Sequence, residues 1–404
     1  MDDAARARGD LARRLDAAVT TLDDPASPLV VVDLDAFDAN AADLVRRATG
    51  TPVRVASKSL RVPALVERAL ATPGFVGVLA YTLREALWLV QEGITDDVLM
   101  GYPSVDRPAL ARLLADDRAR AAITLMVDDT AQLDQVTAAA GSRGVRGVRI
   151  ALDVDAGLRL GRAHVGPKRS PLHDATAVRA LAEEVVRRGF ALVGVMTYEG
   201  QVAGVPDDVP GGLPRSLVVR RLKAASVRQL AERRAAVAAA LAHVTELELW
   251  NAGGSGSIET SAGDPVVTEV SAGSGLLVPG LFDHFLSFEP RPAAYFALPV
   301  VRRPAPGLVT VAGGGFVASG PPGADRVPLP WAPPGLELTR LEGAGEVQTP
   351  LSGPGADALA VGDRVWFRHA KSGELAEHTN VVHLVRGAEV VETVPSYRGL
   401  GLAW

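Results

Sequence analysis

One lysine, Lys58, follows a short apolar run within the segment RVASKSLRVP, residues 54–63. A lysine at the end of a strand differs from a lysine on an exposed helix face, because partial burial lowers its pKa and makes the amine nucleophilic. Such an amine is a candidate for Schiff-base chemistry with a carbonyl compound. On position alone a solvated surface lysine is the commoner outcome, so this interpretation needs a second feature.

Two glycine- and serine-rich segments, NAGGSGS at 251–257 and SAGSG at 271–275, provide that feature. Glycines let backbone N–H groups approach an anion, and serine hydroxyls add further donors. Either segment alone is weak support, because glycine accounts for 41 of the 404 residues. Together they predict a phosphate site, whose candidate residues are Asn251, Gly253, Gly254, Ser255, Gly273, Ser274 and Gly275.

Short apolar runs recur eight times from about residue 52 to residue 275 and alternate with helical patterns. This alternation predicts a parallel sheet, and eight such units predict a (β/α)8 TIM-type barrel. In such a barrel the active face lies at the carboxyl ends of the strands, and phosphate is commonly held after strands seven and eight. Lys58 follows the first strand, whereas the two glycine-rich segments follow the seventh and eighth. An amine for an aldehyde and a cradle for a phosphate are what pyridoxal 5'-phosphate (PLP) requires.

The pattern changes at both ends of the chain. Residues 4–22 have the apolar spacing of an amphipathic helix, and SPLVVVDLDAF is typical of a strand that runs into a helix. After about residue 288, proline and glycine become dense, and seven short strand candidates follow without a convincing helix. We therefore predict an N-terminal helix at 1–27, a PLP-binding barrel at 28–287 and a C-terminal β-barrel or sheet domain at 288–404.

The composition excludes several classes of protein. A net charge of −5 argues against nonspecific nucleic-acid binding, which needs a basic surface. The absence of cysteine excludes a disulfide framework and thiolate metal sites. No apolar run is long enough to span a bilayer, and the charged N-terminus is unlike a secretory signal. We expect a cytoplasmic protein without membrane or nucleic-acid partners.

Several segments in this order resemble fold-type III, alanine racemase-like PLP-dependent enzymes. They are RVASKSLRVPALV, DAGLRLGR at 155–162, GVMTYEGQ at 194–201, the two glycine-rich segments, RHAKSGELAEHTN at 368–380 and TVPSYRG at 393–399. The resemblance runs from about residue 28 to the C-terminus. It is closer to the branch that holds D-threonine aldolase, D-serine dehydratase and amino acid deaminase/aldolase proteins.

The resemblance implies roles for individual residues. It makes Lys58 the lysine that carries PLP, and it places Tyr198 beside the cofactor ring, where core filling is the alternative. Arg159 would bind the cofactor's phenolate oxygen or the substrate carboxylate, unless it pairs with Asp153 or Asp155.

The chain also departs from that branch. The branch holds a divalent metal (Mn, Mg or Zn) through a histidine and a ligand two residues later, which here are His369 and Lys371. An ammonium group is a poor metal ligand, so the metal is doubtful unless His378, Glu374 or Glu377 substitutes for it. Asp153 stands where alanine racemase carries a lysine, which argues against a plain racemase.

The implied function is PLP-dependent lyase chemistry on a β-hydroxy amino acid, through a Lys58 Schiff base and a Cα carbanion. Aldol or retro-aldol cleavage would use His369 as the base, whereas a dehydratase-like β-elimination would use Lys58. Racemisation would need a second base, for which Tyr397 of a partner subunit is the candidate. The resemblance implies a homodimer with its active site at the interface, acting on amino acids and aldehydes. A non-catalytic PLP-binding homeostasis protein is the alternative of another class.

Overall fold

The structure, a computed structural model, describes residues 3–23, 25, 27–208 and 213–404. The strands in these ranges are β1 (Leu29–Asp33), β2 (Val53–Ala56), β3 (Phe75–Ala80), β4 (Val98–Met100), β5 (Ile123–Val127), β6 (Arg149–Asp153), β7 (Leu158–Leu160), β8 (Ala163–Val165), β9 (Ala191–Thr197), β10 (Leu249–Ala252), β11 (Glu269–Ala272), β12 (Ala294–Ala305), β13 (Leu308–Ala312), β14 (Leu329–Ala332), β15 (Glu337–Leu338), β16 (Gln348–Ser352), β17 (Arg364–Arg368), β18 (Val381–Arg386) and β19 (Glu389–Pro395). The α-helices are α1 (Asp3–Val19), α2 (Leu34–Arg47), α3 (Pro63–Leu70), α4 (Leu83–Gln91), α5 (Arg107–Ala115), α6 (Asp117–Ala122), α7 (Thr130–Ala140), α8 (Ala175–Arg187), α9 (Gly200–Ala203), α10 (Leu213–Leu241), α11 (Ile258–Ala262) and α12 (Ser274–Leu277).

Eight strands within the described ranges close into a parallel barrel in the order β10-β11-β2-β3-β4-β5-β6-β9. They are the eight apolar runs of the sequence, so the predicted barrel is confirmed. The ring closes where Ala272 of β11 pairs with Val55 of β2, which brings the last barrel strand beside the first. All the carboxyl ends therefore lie on one face, including those of β2, β10 and β11.

Polar side chains fix the starts of the helices that follow the strands. Thr82, Asp106, Asp129 and Asp174 each accept a hydrogen bond from a backbone N–H in the first turn of the next helix. Such caps satisfy donors that have no partner within the helix, and they end each strand-to-helix loop at a defined residue. These four loops at the carboxyl face are consequently anchored at the helix that follows each of them.

A mixed sheet forms the second unit, which confirms the predicted C-terminal β-sheet domain. Its main path is β15-β16-β13-β12-β1-β18-β19, and β17 pairs with both β12 and β14. Strand β1, which lies before the barrel in the sequence, is buried in this sheet between antiparallel β12 and parallel β18. Helix α1 packs against the same sheet, where Leu15 and Val19 join the apolar cluster around Trp366.

The helices of the described ranges include none that is both long enough and apolar enough to cross a membrane.

Candidate active site

A cavity of about 350 Å³ lies at the carboxyl face of the barrel. One side, the barrel wall, consists of residues at or after the ends of β2, β3, β4, β6, β9, β10 and β11. The other side, the C-terminal wall, consists of Ser319, Gly320, Arg326, Lys371 and Ser372. The cavity is thus formed between the two units of the chain, a usual place for a small-molecule site.

Lys58 lies in a 3-10 turn, Ser57–Ser59, that begins where β2 ends at Ala56. Its Nζ donates a hydrogen bond to the hydroxyl oxygen of Tyr102, 3.3 Å away, and both side chains line the cavity. Burial alone would raise the pKa of Tyr102, but the charges of Lys58 and Arg169 and their hydrogen bonds outweigh burial and lower it. The amine and the phenol form a pair between which a proton can move.

The glycine-rich loops approach their surroundings too closely to carry side chains. Gly253 has φ +80°, a conformation that favours glycine. A Cβ at Gly254 would lie 2.8 Å from the Cβ of Ala203, and one at Gly273 would lie 2.5 Å from the carbonyl oxygen of Ala56. These glycines therefore let the two loops pack closely against α9 and the end of β2.

Serine hydroxyls connect these loops to each other and to the Lys58 turn. The hydroxyls of Ser59 and Ser274 lie 3.1 Å apart. Ser255 Oγ accepts a 2.8 Å hydrogen bond from the N–H of Gly275. The ends of the first, seventh and eighth barrel strands thus form one hydroxyl-lined cradle beside Lys58.

The structure brings six of the seven predicted loop residues to the cavity. Those that line it are Asn251, Gly253, Gly254, Ser255, Gly273 and Ser274. Gly275 does not line the cavity, but its N–H donates a hydrogen bond to the Ser255 hydroxyl. Asn251 forms part of the floor, where its amide donates to Glu269 and Ser271, each at 2.8 Å.

A buried carboxylate, Glu199, anchors the loop after β10. It accepts hydrogen bonds from the N–H of Gly253 at 3.2 Å and from Ser257 Oγ at 2.7 Å. Arg234 of α10 lies 3.2 Å from the same carboxylate and balances its charge. The sequence pattern does not reveal this role, because Glu199 acts through residues 35 and 54 positions away along the chain.

The two arginines after β6 differ in position. Arg159 pairs with Asp155 at 2.8 Å and is not a lining residue of the cavity. Arg169 does line the cavity, with its guanidinium carbon 5.5 Å from the ring centre of Tyr102 and 5.9 Å from that of Tyr198. Sequence reasoning missed Arg169, because it stands in the irregular segment GPKRSP without a strand end or motif to indicate it. Tyr102 could have been found, since it follows a strand end as Tyr198 does.

Asp153 and Tyr198 extend the barrel wall. Burial, together with the charges of Asp128 and Asp155, raises the pKa of Asp153 to about 7, although Arg169 opposes the shift. Burial next to Glu199 raises the pKa of Tyr198 to about 12, so its hydroxyl stays protonated at neutral pH. The cavity therefore contains one carboxyl group that can take up and release a proton near neutral pH.

Two residues assigned catalytic roles from the sequence lie elsewhere. His369 faces a smaller apolar cavity, with its Nε2 3.0 Å from Ser372 Oγ, and burial and the Arg368 charge lower its pKa to about 3. Tyr397 is buried within its own chain, where its hydroxyl donates to Glu85 at 2.9 Å. The structure brings neither residue to the cavity that contains Lys58.

The donors near His369 do not suit a divalent metal. Lys371, two residues later, presents an ammonium group that donates to Ser319 Oγ at 2.7 Å. Across the ranges that the structure describes, no group of three or more His, Cys, Asp or Glu residues could hold a metal ion.

The cavity does suit PLP. The Lys58 amine can bind its aldehyde, and the cradle of hydroxyls and backbone amides at 255 and 273–274 can hold its phosphate. Arg169 and Tyr198 lie on the same wall as donors or ring contacts for the rest of the cofactor.

Comparison with known proteins agrees with this geometry. Residues 32–279, more than half of the chain, match the family described as alanine racemase, N-terminal domain. The chain belongs to this family. Membership implies PLP as the cofactor, in accord with the donor set.

The similar proteins include lyases of two kinds. The chain is 28% identical over 297 residues to a D-threonine aldolase of Arthrobacter sp., covering 71% of each. Among solved structures, the D-threonine aldolase of Filomicrobium marinum has a TM-score of 0.75 at 23% identity, covering 93% of this chain and 95% of that one. The D-threo-3-hydroxyaspartate dehydratase of Delftia sp. HT23 has a TM-score of 0.71 at 21% identity, covering 94% and 98%. At these identities the solved structures establish the shared fold.

Proposed function

We propose that the protein is a PLP-dependent lyase that cleaves the Cα–Cβ bond of a β-hydroxy amino acid, or forms that bond in reverse. The observation that carries the proposal is one cavity that is lined both by Lys58 and by a cradle of serine hydroxyls and glycine-rich loops. The similarity to a D-threonine aldolase supports this choice of reaction.

PLP, when bound, supplies an electron sink for the bonding electrons of Cα. The side chains of the protein supply the proton transfers and orient the bound cofactor. Lys58 Nζ can pass a proton to the phenol of Tyr102 or receive one from it, because the two atoms lie 3.3 Å apart. The hydroxyls of Ser59, Ser255 and Ser274 would hold a phosphate in the cradle.

Cleavage of the Cα–Cβ bond also needs a group that accepts the proton of the β-hydroxyl. Because His369 lies outside the cavity, we assign this role to Asp153, which lines the cavity and has a pKa of about 7. A carboxyl group with that pKa is efficient both as base and as acid near neutral pH. The same group can return the proton when the reaction runs towards synthesis.

A β-eliminating deaminase is the second candidate. The Lys58–Tyr102 pair suits removal of a Cα proton, and a similar structure is that of a D-threo-3-hydroxyaspartate dehydratase. A racemase would need a second base across the cofactor, and Tyr397 is held by Glu85 away from the cavity. We further propose that the protein acts as a homodimer, which sedimentation velocity can test against a monomer.

Reconstitution with PLP tests the cofactor assignment. Wild-type protein should acquire the visible absorbance of lysine-bound PLP, and Lys58→Ala should not. The matched control is Lys168→Ala, which removes an exposed lysine that does not line the cavity and should keep the absorbance. Unchanged absorbance in Lys58→Ala would refute the assignment.

A panel of D- and L-β-hydroxy amino acids then separates the reactions. Aldehyde release indicates an aldolase, ammonia with a keto acid indicates a dehydratase, and exchange of enantiomers indicates a racemase. PLP binding without turnover of any of them would favour the homeostasis protein. Asp153→Asn should lower aldehyde release while PLP absorbance persists.

A further inference from the structure

The C-terminal wall carries two cationic side chains, Lys371 and Arg326, that no part of the proposed reaction has used. Both hydrogen bonds of the Lys371 ammonium among the described residues go to Ser319, to Oγ at 2.7 Å and to the carbonyl oxygen at 3.4 Å. Neither goes to a carboxylate. Burial and the charges of Lys58 and Arg326 lower the pKa of the Lys371 ammonium, and the charge of Glu374 opposes this shift. Among the described residues, the ammonium has no hydrogen-bonded carboxylate.

Arg326 is positioned by its surroundings yet only partly paired. Its Nη2 lies 3.7 Å from the carboxylate of Asp325, a distance too long for a hydrogen bond. Its Nε is buried and has no hydrogen-bond partner among the described residues. A Cβ on Gly320 would lie 3.0 Å from this Nε, so the glycine lets the guanidinium lie flat against the loop.

Two nearby carboxylates, Glu374 and Asp155, accept hydrogen bonds from other groups. Glu374 accepts hydrogen bonds from the N–H of Ser319 at 2.9 and 3.2 Å and is not a lining residue. Across the cavity, Asp155 is bound by Arg159 at 2.8 Å and by His164 at 3.1 Å. The charged residues of the C-terminal wall that line the cavity are the two cations, Lys371 and Arg326, whereas Glu374 and Asp325 do not line it, and this arrangement suits an anionic ligand.

We propose that Lys371 and Arg326 form a subsite for a carboxylate of the substrate, and that this pair supplies the positive charge at the C-terminal wall without a metal ion. The proposal rests on the proposed function for its choice of substrate, an amino acid. The carboxylate is either the one on Cα or one at the end of the side chain, and both present the same two oxygens to the pair.

Calorimetric titration of the PLP-loaded protein with succinate and with propionate tests the subsite. Bound PLP keeps these anions out of the phosphate cradle, and neither probe carries an amine. Their binding is therefore read separately from the absorbance of PLP on Lys58. If wild-type protein does not acquire the PLP absorbance, the cofactor assignment is refuted. The titration can still be run on the protein without PLP, with phosphate added to occupy the phosphate cradle.

We expect wild-type protein to bind succinate, and Lys371→Gln and Arg326→Gln each to bind it about tenfold more weakly or worse, because each loses a charge-assisted contact. Lys371→Arg, which keeps the charge, should restore most of the affinity. Arg340→Gln is the matched control, since Arg340 is an exposed arginine of the same unit outside the cavity. It should bind succinate as wild type does.

The two probes distinguish the two carboxylates. Succinate binding that exceeds propionate binding about tenfold indicates a dicarboxylic substrate, and similar affinities indicate the carboxylate on Cα. The subsite is refuted if wild-type protein binds neither probe, or if both glutamine variants bind succinate as tightly as wild type. Tighter binding on addition of Mn²⁺, reversed by EDTA, would refute the claim that no metal takes part.

Discussion

The two walls of the cavity are built in different ways. The barrel wall consists of strand ends that the closed ring forces together, and buried groups such as Glu199 and Glu269 hold it from behind. The C-terminal wall consists of loops outside regular strands, at 319–326 and 369–373, whose polar contacts are partly exposed.

This difference indicates that the two walls have different functions. Rigid strand ends suit the cofactor, whose phosphate and aldehyde must stay at fixed positions relative to each other. Irregular loops from another unit suit the substrate, because their side chains can vary without disturbing the barrel. Substitutions in the barrel wall should therefore affect stability and PLP affinity, and those in the C-terminal wall should affect substrate binding.

The largest effect is expected for Glu199→Gln. It breaks a buried ion pair with Arg234 and weakens the anchor of the loop at Gly253. We expect a loss of about 3 kcal/mol, the lower end for breaking a buried pair, because Arg234 keeps Asp264 as a partner. Urea unfolding and PLP titration measure both consequences. The control is Glu183→Gln, whose pair with Arg179 is exposed and should matter little. Equal effects of the two variants would contradict the anchoring role.

Gly273→Ala should come next. Its Cβ would lie 2.5 Å from the carbonyl oxygen of Ala56 and 2.9 Å from the Cβ of Ser59, so the loop must move away from the Lys58 turn. Overpacking of this kind costs about 1–3 kcal/mol, and we expect PLP affinity to fall with it. Gly9→Ala is the control, because a Cβ there makes only an ordinary 3.6 Å contact within α1. Unchanged PLP affinity in Gly273→Ala would show that the cradle does not depend on this close approach.

The pH dependence of stability tests the buried carboxyl of Asp153. Its pKa is raised from 3.8 to about 7 in the folded protein, so between these values the native state binds more protons than the unfolded state. The free energy of unfolding must therefore fall as the pH rises through this window. Asp153→Asn lacks this loss, so its free energy of unfolding relative to wild type should rise between pH 4.5 and pH 8. We expect a rise of at least about 1.4 kcal/mol, the value for a shift of a single pKa unit. Urea unfolding at both values measures the difference, and a constant difference would place the Asp153 pKa near its ordinary value.

The smallest effects are expected for a matched pair of serine substitutions, one on each wall. Ser255→Ala removes the acceptor of the Gly275 N–H, and Ser319→Ala removes the nearer of the two acceptors of the Lys371 ammonium. We expect Ser255→Ala to cost about 1 kcal/mol and to weaken PLP binding. Ser319→Ala should leave PLP binding unchanged and weaken succinate binding a few-fold. If both variants changed PLP affinity equally, the division between the walls would be wrong.

The barrel and its cradle could be predicted because they follow from local pattern plus one topological rule. Eight apolar runs alternate with helices, and parallel closure then places Lys58 beside Ser255 and Ser274 whatever the loop lengths between them. Arg169 could not be predicted in the same way, because the segment that carries it has no periodic pattern. The sequence motif led instead to Arg159, which the fold directs to Asp155.

Residues of the C-terminal unit show most clearly where prediction from the sequence fails. His369 and Lys371 are two positions apart, and spacing alone made them a candidate ligand pair. In the structure His369 lines the smaller apolar cavity, whereas Lys371 lines the cavity that contains Lys58. The placement of β1 in the mixed sheet is another such case, since only pairing with β12 and β18 distinguishes it from a barrel strand.

The sequence by itself determined the barrel, the C-terminal β unit and the meeting of Lys58 with the two glycine- and serine-rich loops, because hydrophobic periodicity and strand-end position are local properties of the chain. The tertiary structure decided which charged groups face the cavity, namely Arg169, Asp153, Arg326 and Lys371. That choice depends on contacts between distant segments and on burial, which set both the direction and the protonation of a side chain, and neither quantity is encoded in residue spacing.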